Sequence, residues 1–138
     1  MEDKREIVIA TRNPEKKREM KRLLKQAGLN CRFSSLTDFP DAPVIKEDGK
    51  NFRENAVKKA VITARSTKKL TLADDSGLEV EALGGKPGVH SSRFAGKNSS
   101  DGKNINKLLA LLKNTPASSR NACFTACLAL AYEKGLIG

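Results

Sequence analysis

Apolar residues alternate between strand spacing and helix spacing along the first part of the chain. A β-branched run at residues 6–10 predicts a buried strand, and apolar positions at helical spacing then follow as far as Ala27. Asn13 is a good N-cap, Pro14 suits the first helical position and Gly28 suits the helix stop. These residues predict a strand, a tight turn and a helix.

The middle of the chain contains one further helix and two short apolar runs. Residues 31–46 include two prolines and have no period, so we expect them to be irregular. Phe52 and three alanines spaced four apart predict a helix at residues 51–66. Residues 70–73 and 78–82 predict two strands, with a turn at Ser76–Gly77 between them.

The last third begins with a glycine-rich stretch and ends in a long apolar alternation. Six of the ten glycines lie at residues 77–102, which predicts mostly loop. A third helix is predicted at 101–113, and a long, largely buried strand at 120–132. Residues 133–135 predict a hairpin turn, and 136–137 begin a partner strand. A buried strand with so short a partner needs another covering element, so we expect the domain to be incomplete at its C-terminus.

Composition narrows the class of protein. The 138 residues suit a single domain spanning residues 1–138, with 38% hydrophobic and 30% charged residues. No apolar run approaches the roughly 18 residues of a spanning helix, and no signal-peptide pattern opens the chain, so we expect a cytoplasmic protein without a membrane. Three cysteines without a C-x-x-C pattern predict free thiols, and a single histidine argues against structural zinc.

The chain is strongly basic, with a formal net charge of +10. This charge fits a well-solvated surface, a nucleic-acid partner or a small polyphosphate, and composition alone leaves these alternatives open. One tyrosine and no tryptophan supply few stacking platforms, which argues against binding of single-stranded nucleic acid.

The turn after the first predicted strand could bind an anion. A helix N-terminus exposes backbone N–H groups and carries partial positive charge. Thr11 and Asn13 can add donors, and Lys16 can meet a phosphate as a point charge. A capped helix with a solvated lysine explains the same residues.

The second predicted helix carries another polar group of residues. Glu54 and Lys58 are spaced for a surface ion pair, but that explanation leaves Asn55 in mid-helix, where its propensity is poor. In the functional interpretation, Glu54 is a metal ligand and Lys59 is a partner for phosphate or carboxylate.

Acidic residues concentrate at one point of this basic chain. Four acids and no base lie at residues 73–81, beginning with Asp74 and Asp75. One interpretation is a turn rich in Asp, Ser and Gly. The other is a Mg²⁺ site, because Mg²⁺ binds one or two carboxylates plus phosphate oxygens, and adjacent carboxylates repel unless a cation compensates.

In combination these motifs resemble the inosine/xanthosine triphosphate pyrophosphatase family. Residues 72–96 match its signature nearly residue for residue, and the other motifs follow in the same order. The matching segments are Thr11-x-Asn13-x-x-Lys16, Glu54-Asn-Ala-x-x-Lys59-Ala60, Ala73-Asp-Asp-Ser-Gly-Leu-Glu-Val80, Leu83-Gly-Gly-x-Pro-Gly-Val89, Ser92-Arg-Phe-Ala-Gly96 and Arg120-x-Ala-x-Phe124.

The resemblance implies an α/β fold with a long mixed β-sheet and flanking helices, usually as a homodimer. It also implies Mg²⁺-dependent hydrolysis of non-standard purine nucleoside triphosphates (ITP, dITP, XTP) to the monophosphate and pyrophosphate. Asp75 would accept the proton of the attacking water. By position, the substrate and its phosphates would be bound by Thr11, Arg12, Asn13, Pro14, Glu15, Lys16, Lys59 and Ser76, and the metal by Glu54, Asp74 and Asp75.

The chain departs from the family pattern at its far end. Family members continue with Phe-Gly-Tyr-Asp and Ser-His-Arg segments that line the base pocket, and neither occurs in these residues. Two alternatives therefore stand beside the pyrophosphatase. They are a truncated, inactive nucleotide-binding remnant and a septum-inhibitor-like nucleotide pyrophosphatase.

Overall fold

A five-stranded mixed sheet forms the centre of the computed structural model, which describes residues 5–138. The strands are β1 Glu6–Ile9, β2 Arg32–Ser35, β3 Leu70–Val80, β4 Ala122–Tyr132 and β5 Gly135–Leu136, and the helices are α1 Pro14–Gln26, α2 Phe52–Thr67 and α3 Asp101–Leu111. Their order in the sheet is β2-β1-β3-β4-β5, with β2, β1 and β3 parallel and β4 and β5 antiparallel. The predicted mixed α/β sheet with flanking helices is confirmed.

The predicted unit of strand, turn and helix is present at β1 and α1. The Asn13 side chain caps α1 by accepting a hydrogen bond from the Glu15 N–H at 2.9 Å, and a proline opens the helix. Gly28 follows the helix with φ +90°, a conformation that favours glycine. Met20 packs α1 against the sheet, in contact with Ile9 and Phe33.

Small side chains hold α2 close to the other face of the sheet. Ala56, Ala60 and Ala64 have no exposed surface, since each lies one turn from the next on the buried face. They pack against sheet alanines, namely Ala10, Ala73, Ala129 and Ala131. Alanine on both sides permits a close approach, and this brings the polar residues at the start of α2 to β3.

β3 is a single strand of eleven residues, so the predicted pair of strands with a turn at Ser76–Gly77 is wrong. Residues 71–80 pair without interruption with β4, and this tertiary pairing overrides the local turn preference of Asp, Ser and Gly. β1 pairs with β3 only at Leu70–Leu72. The rest of β3 therefore projects beyond the carboxyl end of β1.

Two other expectations need correction. The segment 31–46, predicted to be irregular, contains β2 and a 3₁₀ turn at Leu36–Asp38. The strand predicted to be largely buried is exposed in its first half, where Phe124 is 70% and Leu128 is 58% exposed. The α2 helix covers Ala129 and Ala131, but no described element extends far enough along that strand to cover the rest.

The remaining predictions agree more closely with the structure. The glycine-rich stretch holds 3₁₀ turns at Glu81–Leu83 and Gly88–Arg93 before α3 begins. All three cysteines are free thiols, as their spacing predicts. Among the described helices, none has the length and apolar character needed to span a bilayer.

Candidate active site

The predicted site residues meet at the carboxyl end of β1. The chain leaves β1 at Ile9, turns through Thr11–Asn13 and enters α1, while β3 continues past the same point. In open α/β sheets, ligands usually bind beyond the carboxyl ends of the parallel strands. The projecting part of β3 therefore forms one wall of a candidate site. The N-terminus of α1 forms another wall.

The turn itself is held by its own side chains. The Asn13 N–H donates to Thr11 Oγ1 at 3.1 Å, and Arg12 Nη2 donates to the Ala42 carbonyl at 3.2 Å. Lys16, in the first turn of α1, places its Nζ 3.1 Å from Asp74 Oδ2. The turn thus has fixed geometry, and its lysine lies beside the projecting part of β3.

The two adjacent aspartates lie on opposite faces of the sheet. Successive side chains of a strand alternate, and Asp74 points toward α1 and Lys16, whereas Asp75 points toward α2 and Asn55. The repulsion expected between neighbouring carboxylates is relieved by this divergence. The two carboxylates do not lie side by side, and the assignment of Asp74 as a metal ligand together with Asp75 stays a prediction.

The contacts of Asn55 explain why this residue of poor helix propensity lies within α2. Its side chain is 1% exposed. Its Nδ2 donates to Asp75 Oδ2 at 3.1 Å, and its Oδ1 accepts the Gly49 N–H at 2.7 Å. Asn55 therefore holds Asp75 in one orientation. The sequence signalled this residue by its poor helix propensity, but we did not predict it as part of the site.

Lys59 and Glu47 complete the group on the α2 side. Lys59 Nζ donates to the Asp74 carbonyl at 2.6 Å and forms an ion pair with Glu47 Oε1 at 2.7 Å. Arg93 Nη2 donates to the Glu47 carbonyl at 3.0 Å, which ties the segment carrying Glu47 to the glycine-rich region. Sequence reasoning missed Glu47, because it lies in a segment without periodicity.

The Glu54 side chain, by contrast, accepts a hydrogen bond at the start of α2. Its Oε2 accepts the Lys50 N–H at 2.7 Å and its own N–H donates to Asn51 Oδ1 at 2.8 Å. The predicted ion pair with Lys58 is absent, since Lys58 pairs with Asp48 at 2.8 Å. No hydrogen bond or ion pair between described residues joins Glu54 to Asp75, so its assignment as a metal ligand stays a prediction.

Burial raises the pKa of Asp75 above its ordinary value. The hydrogen bond from Asn55 and the positive charge of Lys59 oppose this shift, while the negative charges of Glu47 and Asp74 add to it. Lys59 connects the two sides of this group, since it pairs with Glu47 and donates to the carbonyl of Asp74, the residue before Asp75. A carboxylate with a raised pKa is a stronger base than an ordinary one.

The raised pKa of Asp75 predicts a pH-dependent stability effect. The folded protein holds this proton more tightly than the unfolded chain does, so stability falls as the pH rises from about 3.8, the ordinary value, through the folded pKa. Without divalent cations, Asp75→Asn should raise the melting temperature at pH 7, and the gain should vanish below pH 3.8. Melting curves of both proteins between pH 3 and pH 8 measure this, and an equal gain at every pH would contradict it.

The fit of a metal ion can be judged from the ligands present. Among residues 5–138, no three side chains of His, Cys, Asp or Glu cluster as a complete metal site. Two oxygen ligands suffice for Mg²⁺ when substrate phosphates supply others, because Mg²⁺ retains water and favours few carboxylates. Glu47, which pairs with Lys59, and Asp75, which is bonded to Asn55, both lie on the α2 side and would supply these two oxygens.

A groove continues the site on the opposite face of the sheet. Lys16, Asp74 and Ser76 line its polar end, and its volume is about 310 Å³. Its other walls are mostly apolar and come from α1, β3 and β4, namely Met20, Leu23, Leu24, Leu72, Phe124, Ala126 and Leu128. Ser76 therefore lines the polar end of this groove, and its contact with substrate stays a prediction.

A mixed sheet with a helix N-terminus, lysines and carboxylates at the end of one strand is typical of α/β proteins that bind phosphate groups. The model of the Ham1 family matches residues 7–137. The chain therefore belongs to the Ham1 family, and the family resemblance seen in the sequence is confirmed.

Relatives and solved structures agree with this assignment. The chain is 50% identical to dITP/XTP pyrophosphatases of Geobacillus kaustophilus and Geobacter sulfurreducens, over 92% and 94% of its own length. It spans 61% and 64% of those two proteins. The HAM1 protein of Coxiella burnetii superposes with a TM-score of 0.85 at 42% identity, covering 96% of this chain and 68% of that one. The Staphylococcus aureus Ham1 protein gives 0.79 at 38% identity, with 93% and 64% coverage.

Proposed function

We propose that this protein hydrolyses non-standard purine nucleoside triphosphates, such as ITP, dITP and XTP, to the monophosphate and pyrophosphate with the aid of Mg²⁺. The observation that carries the proposal is the cluster of Lys16, Lys59, Glu47 and Asp75 around the open edge of β3. The names of the two pyrophosphatase relatives support the substrate class. Family membership also favours this function over the septum-inhibitor-like enzyme.

The phosphate chain binds between the α1 turn and β3. Lys16 and Lys59 approach β3 from opposite faces of the sheet, and each now contacts an oxygen of Asp74. A triphosphate is more negative than one aspartate, so it can attract both ammonium groups. Thr11 and Asn13 shape the turn, together with Arg12, Pro14 and Glu15, and the N–H groups at the start of α1 face the phosphates.

Glu47 and Asp75 would hold the Mg²⁺ ion, with Asp74 remaining paired to Lys16. Bound Mg²⁺ supplies charge neutralisation of the phosphate oxygens in this kind of reaction. Lys59 would then shift its ion pair from Glu47 toward the substrate. Glu54 is not needed in this arrangement, because its carboxylate caps the start of α2.

Asp75 accepts the proton of the attacking water. Its raised pKa, caused first by burial, makes it a better base, and Asn55 fixes the direction in which its oxygens point. The proton passes from the water to the carboxylate, and the hydroxide oxygen forms a bond to phosphorus. Pyrophosphate leaves with the electron pair of the broken phosphoanhydride bond.

Pyrophosphate release from dITP, XTP, dATP and dGTP tests the proposal. With Mg²⁺, we expect faster release from dITP and XTP than from the standard nucleotides. Asp75→Asn should reduce the rate by about 10²–10⁴-fold, the range for loss of a general base. Asp41→Asn, at an exposed acid outside the cluster, is the matched control and should be unchanged. Mg²⁺-dependent binding without hydrolysis would instead support the nucleotide-binding remnant.

We further propose a cytoplasmic homodimer, which the family resemblance implies. Exposed apolar side chains on β4 and on α3 support an assembly, because exposed apolar surface favours contact with another protein surface. These side chains are Phe124, Leu128, Ile105, Leu109 and Leu111. Sedimentation equilibrium measures the state directly, and a monomer at all concentrations tested would contradict the dimer.

A further inference from the structure

Two adjoining cavities begin at the amino end of β1 and β2, and the second extends along β2 as far as Lys17 and Asp38. Their volumes are about 600 Å³ and 470 Å³, within the range of small-molecule sites. They share three lining residues, Glu6, Arg32 and Lys69, and so form one continuous depression. We call this depression the amino-end groove.

The amino-end groove has an excess of positive charge. Its lining contains five cationic side chains and two carboxylates, an excess of three positive charges. Two cations are neutralised, because Lys69 pairs with Glu6 at 2.7 Å and Lys17 pairs with Asp38 at 3.4 Å. Within the described part of the chain, the other three form no ion pair; they are Arg5, Arg32 and Lys68.

A buried hydroxyl adds a donor to this surface. Ser34 lines the groove, is 5% exposed, and its Oγ has no hydrogen-bond partner of ordinary geometry among the described residues. It lies near Glu6, since Lys69 first and then Ser34 hold the pKa of the Glu6 carboxyl below its usual value. This hydroxyl is therefore turned toward the Glu6 carboxylate, and it adds a polar group to the wall of the groove.

Strand geometry separates this groove from the active site. Lys69 precedes Asp74 by five residues on one extended segment, and at about 3.3 Å per residue they lie about 16 Å apart. A triphosphate bound at the α1 turn therefore cannot also neutralise the amino-end cations. The two basic regions need separate anionic ligands.

We propose that the amino-end groove is a second anion site, which binds a small phosphate-bearing molecule through Arg5, Arg32 and Lys68. Guanidinium groups bind phosphate oxygens in a bidentate manner, and the lysine adds a point charge. Tyr132, which lines the same groove and is 46% exposed, offers a ring to the non-phosphate part of the ligand.

The test is an NMR titration of the 138-residue chain with inorganic pyrophosphate, recorded by amide shifts. Pyrophosphate should shift two separate sets of amides, one at residues 11–16 and one at residues 5, 32–34 and 68–69. Arg32→Gln with Lys68→Gln should weaken binding at the second set at least tenfold and leave the first unchanged. Lys16→Ala should weaken binding at the first set and leave the second set unchanged. Lys25→Gln removes a charge at the far end of α1 and should affect neither set.

Several outcomes would overturn the proposal. They are an absence of shifts at the amino end, loss of all shifts in Lys16→Ala, or equal weakening by Lys25→Gln. Lys68→Gln alone, at an exposed side chain, gives a variant that keeps its fold if the double variant does not, and it should weaken the amino-end set severalfold. An oligonucleotide that binds this groove while pyrophosphate does not would also overturn it, since the groove would then serve nucleic acid.

Discussion

Glu47→Gln should remove most of the gain in nucleotide affinity that Mg²⁺ provides, whereas Glu54→Gln should leave that gain intact. Glu47 pairs with Lys59 on the α2 side of the sheet, toward which Asp75 also points, but Glu54 is occupied by the Lys50 N–H. Loss of one charged ligand at this site costs roughly 1.5–3 kcal/mol, or about tenfold to a hundredfold in affinity. Calorimetric titration with a non-hydrolysable ITP analogue, with and without Mg²⁺, measures the effect.

The two variants form a matched pair, because each replaces a glutamate by its uncharged isostere within eight residues of the other. Asp48→Asn is a further control, since among residues 5–138 that acid pairs only with Lys58 at the surface. Equal losses in Glu47→Gln and Asp48→Asn would indicate a general charge effect. Loss in Glu54→Gln alone would mean that the assignment from the sequence is right and the one from the structure is wrong.

Local signals were enough to predict the turn at the start of α1. Asn13 and Pro14 act on backbone groups within a few residues, so their effect does not depend on the rest of the fold. The contact of Lys16 with Asp74 joins residues 58 positions apart and depends on the pairing of β1 with β3, so it was not predicted. The general location of the site could nevertheless be predicted from the sequence.

The inner geometry of the site could not be predicted in the same way. Whether Asp74 and Asp75 converge depends on their being in a continuous strand, and only the pairing of β3 with β4 decides that. Glu47 reaches Lys59 through a segment with no period, whose course is fixed by distant contacts such as that of Arg93. Such contacts leave no local pattern in the sequence.

Asn55 lies between these two cases. Its poor helix propensity marked it as unusual, which is what a residue with a tertiary hydrogen-bonding function often shows. Its partners, Gly49 and Asp75, lie six and twenty residues away. The sequence could indicate that the position was special, but the structure was needed to identify what it holds.

Gly77→Ala should destabilise the protein strongly and disturb the site with it. A Cβ at this position of β3 would collide with the Gly88 carbonyl oxygen and lie 2.5 Å from Ser91 Oγ and 3.1 Å from the Phe52 ring. Ser91 cannot move away easily, since its Oγ accepts the Leu78 N–H at 2.9 Å and donates to the Gly88 carbonyl at 2.6 Å. Overpacking of this kind costs about 1–3 kcal/mol, and a shift of β3 would displace the neighbouring site residues.

Urea denaturation of Gly77→Ala measures this cost, with Gly102→Ala as the matched control. A Cβ on Gly102 would meet no atom of the described residues within 4 Å, and this glycine lies in α3, so alanine there should be neutral or stabilise by up to about 1 kcal/mol. The Gly77 variant should also lose Mg²⁺-dependent nucleotide binding, because Asp75 and Ser76 immediately precede the strained position. Similar unfolding midpoints for the two alanine variants would show that the loop at Gly88–Arg93 can move aside without cost, and that it does not fix the position of β3.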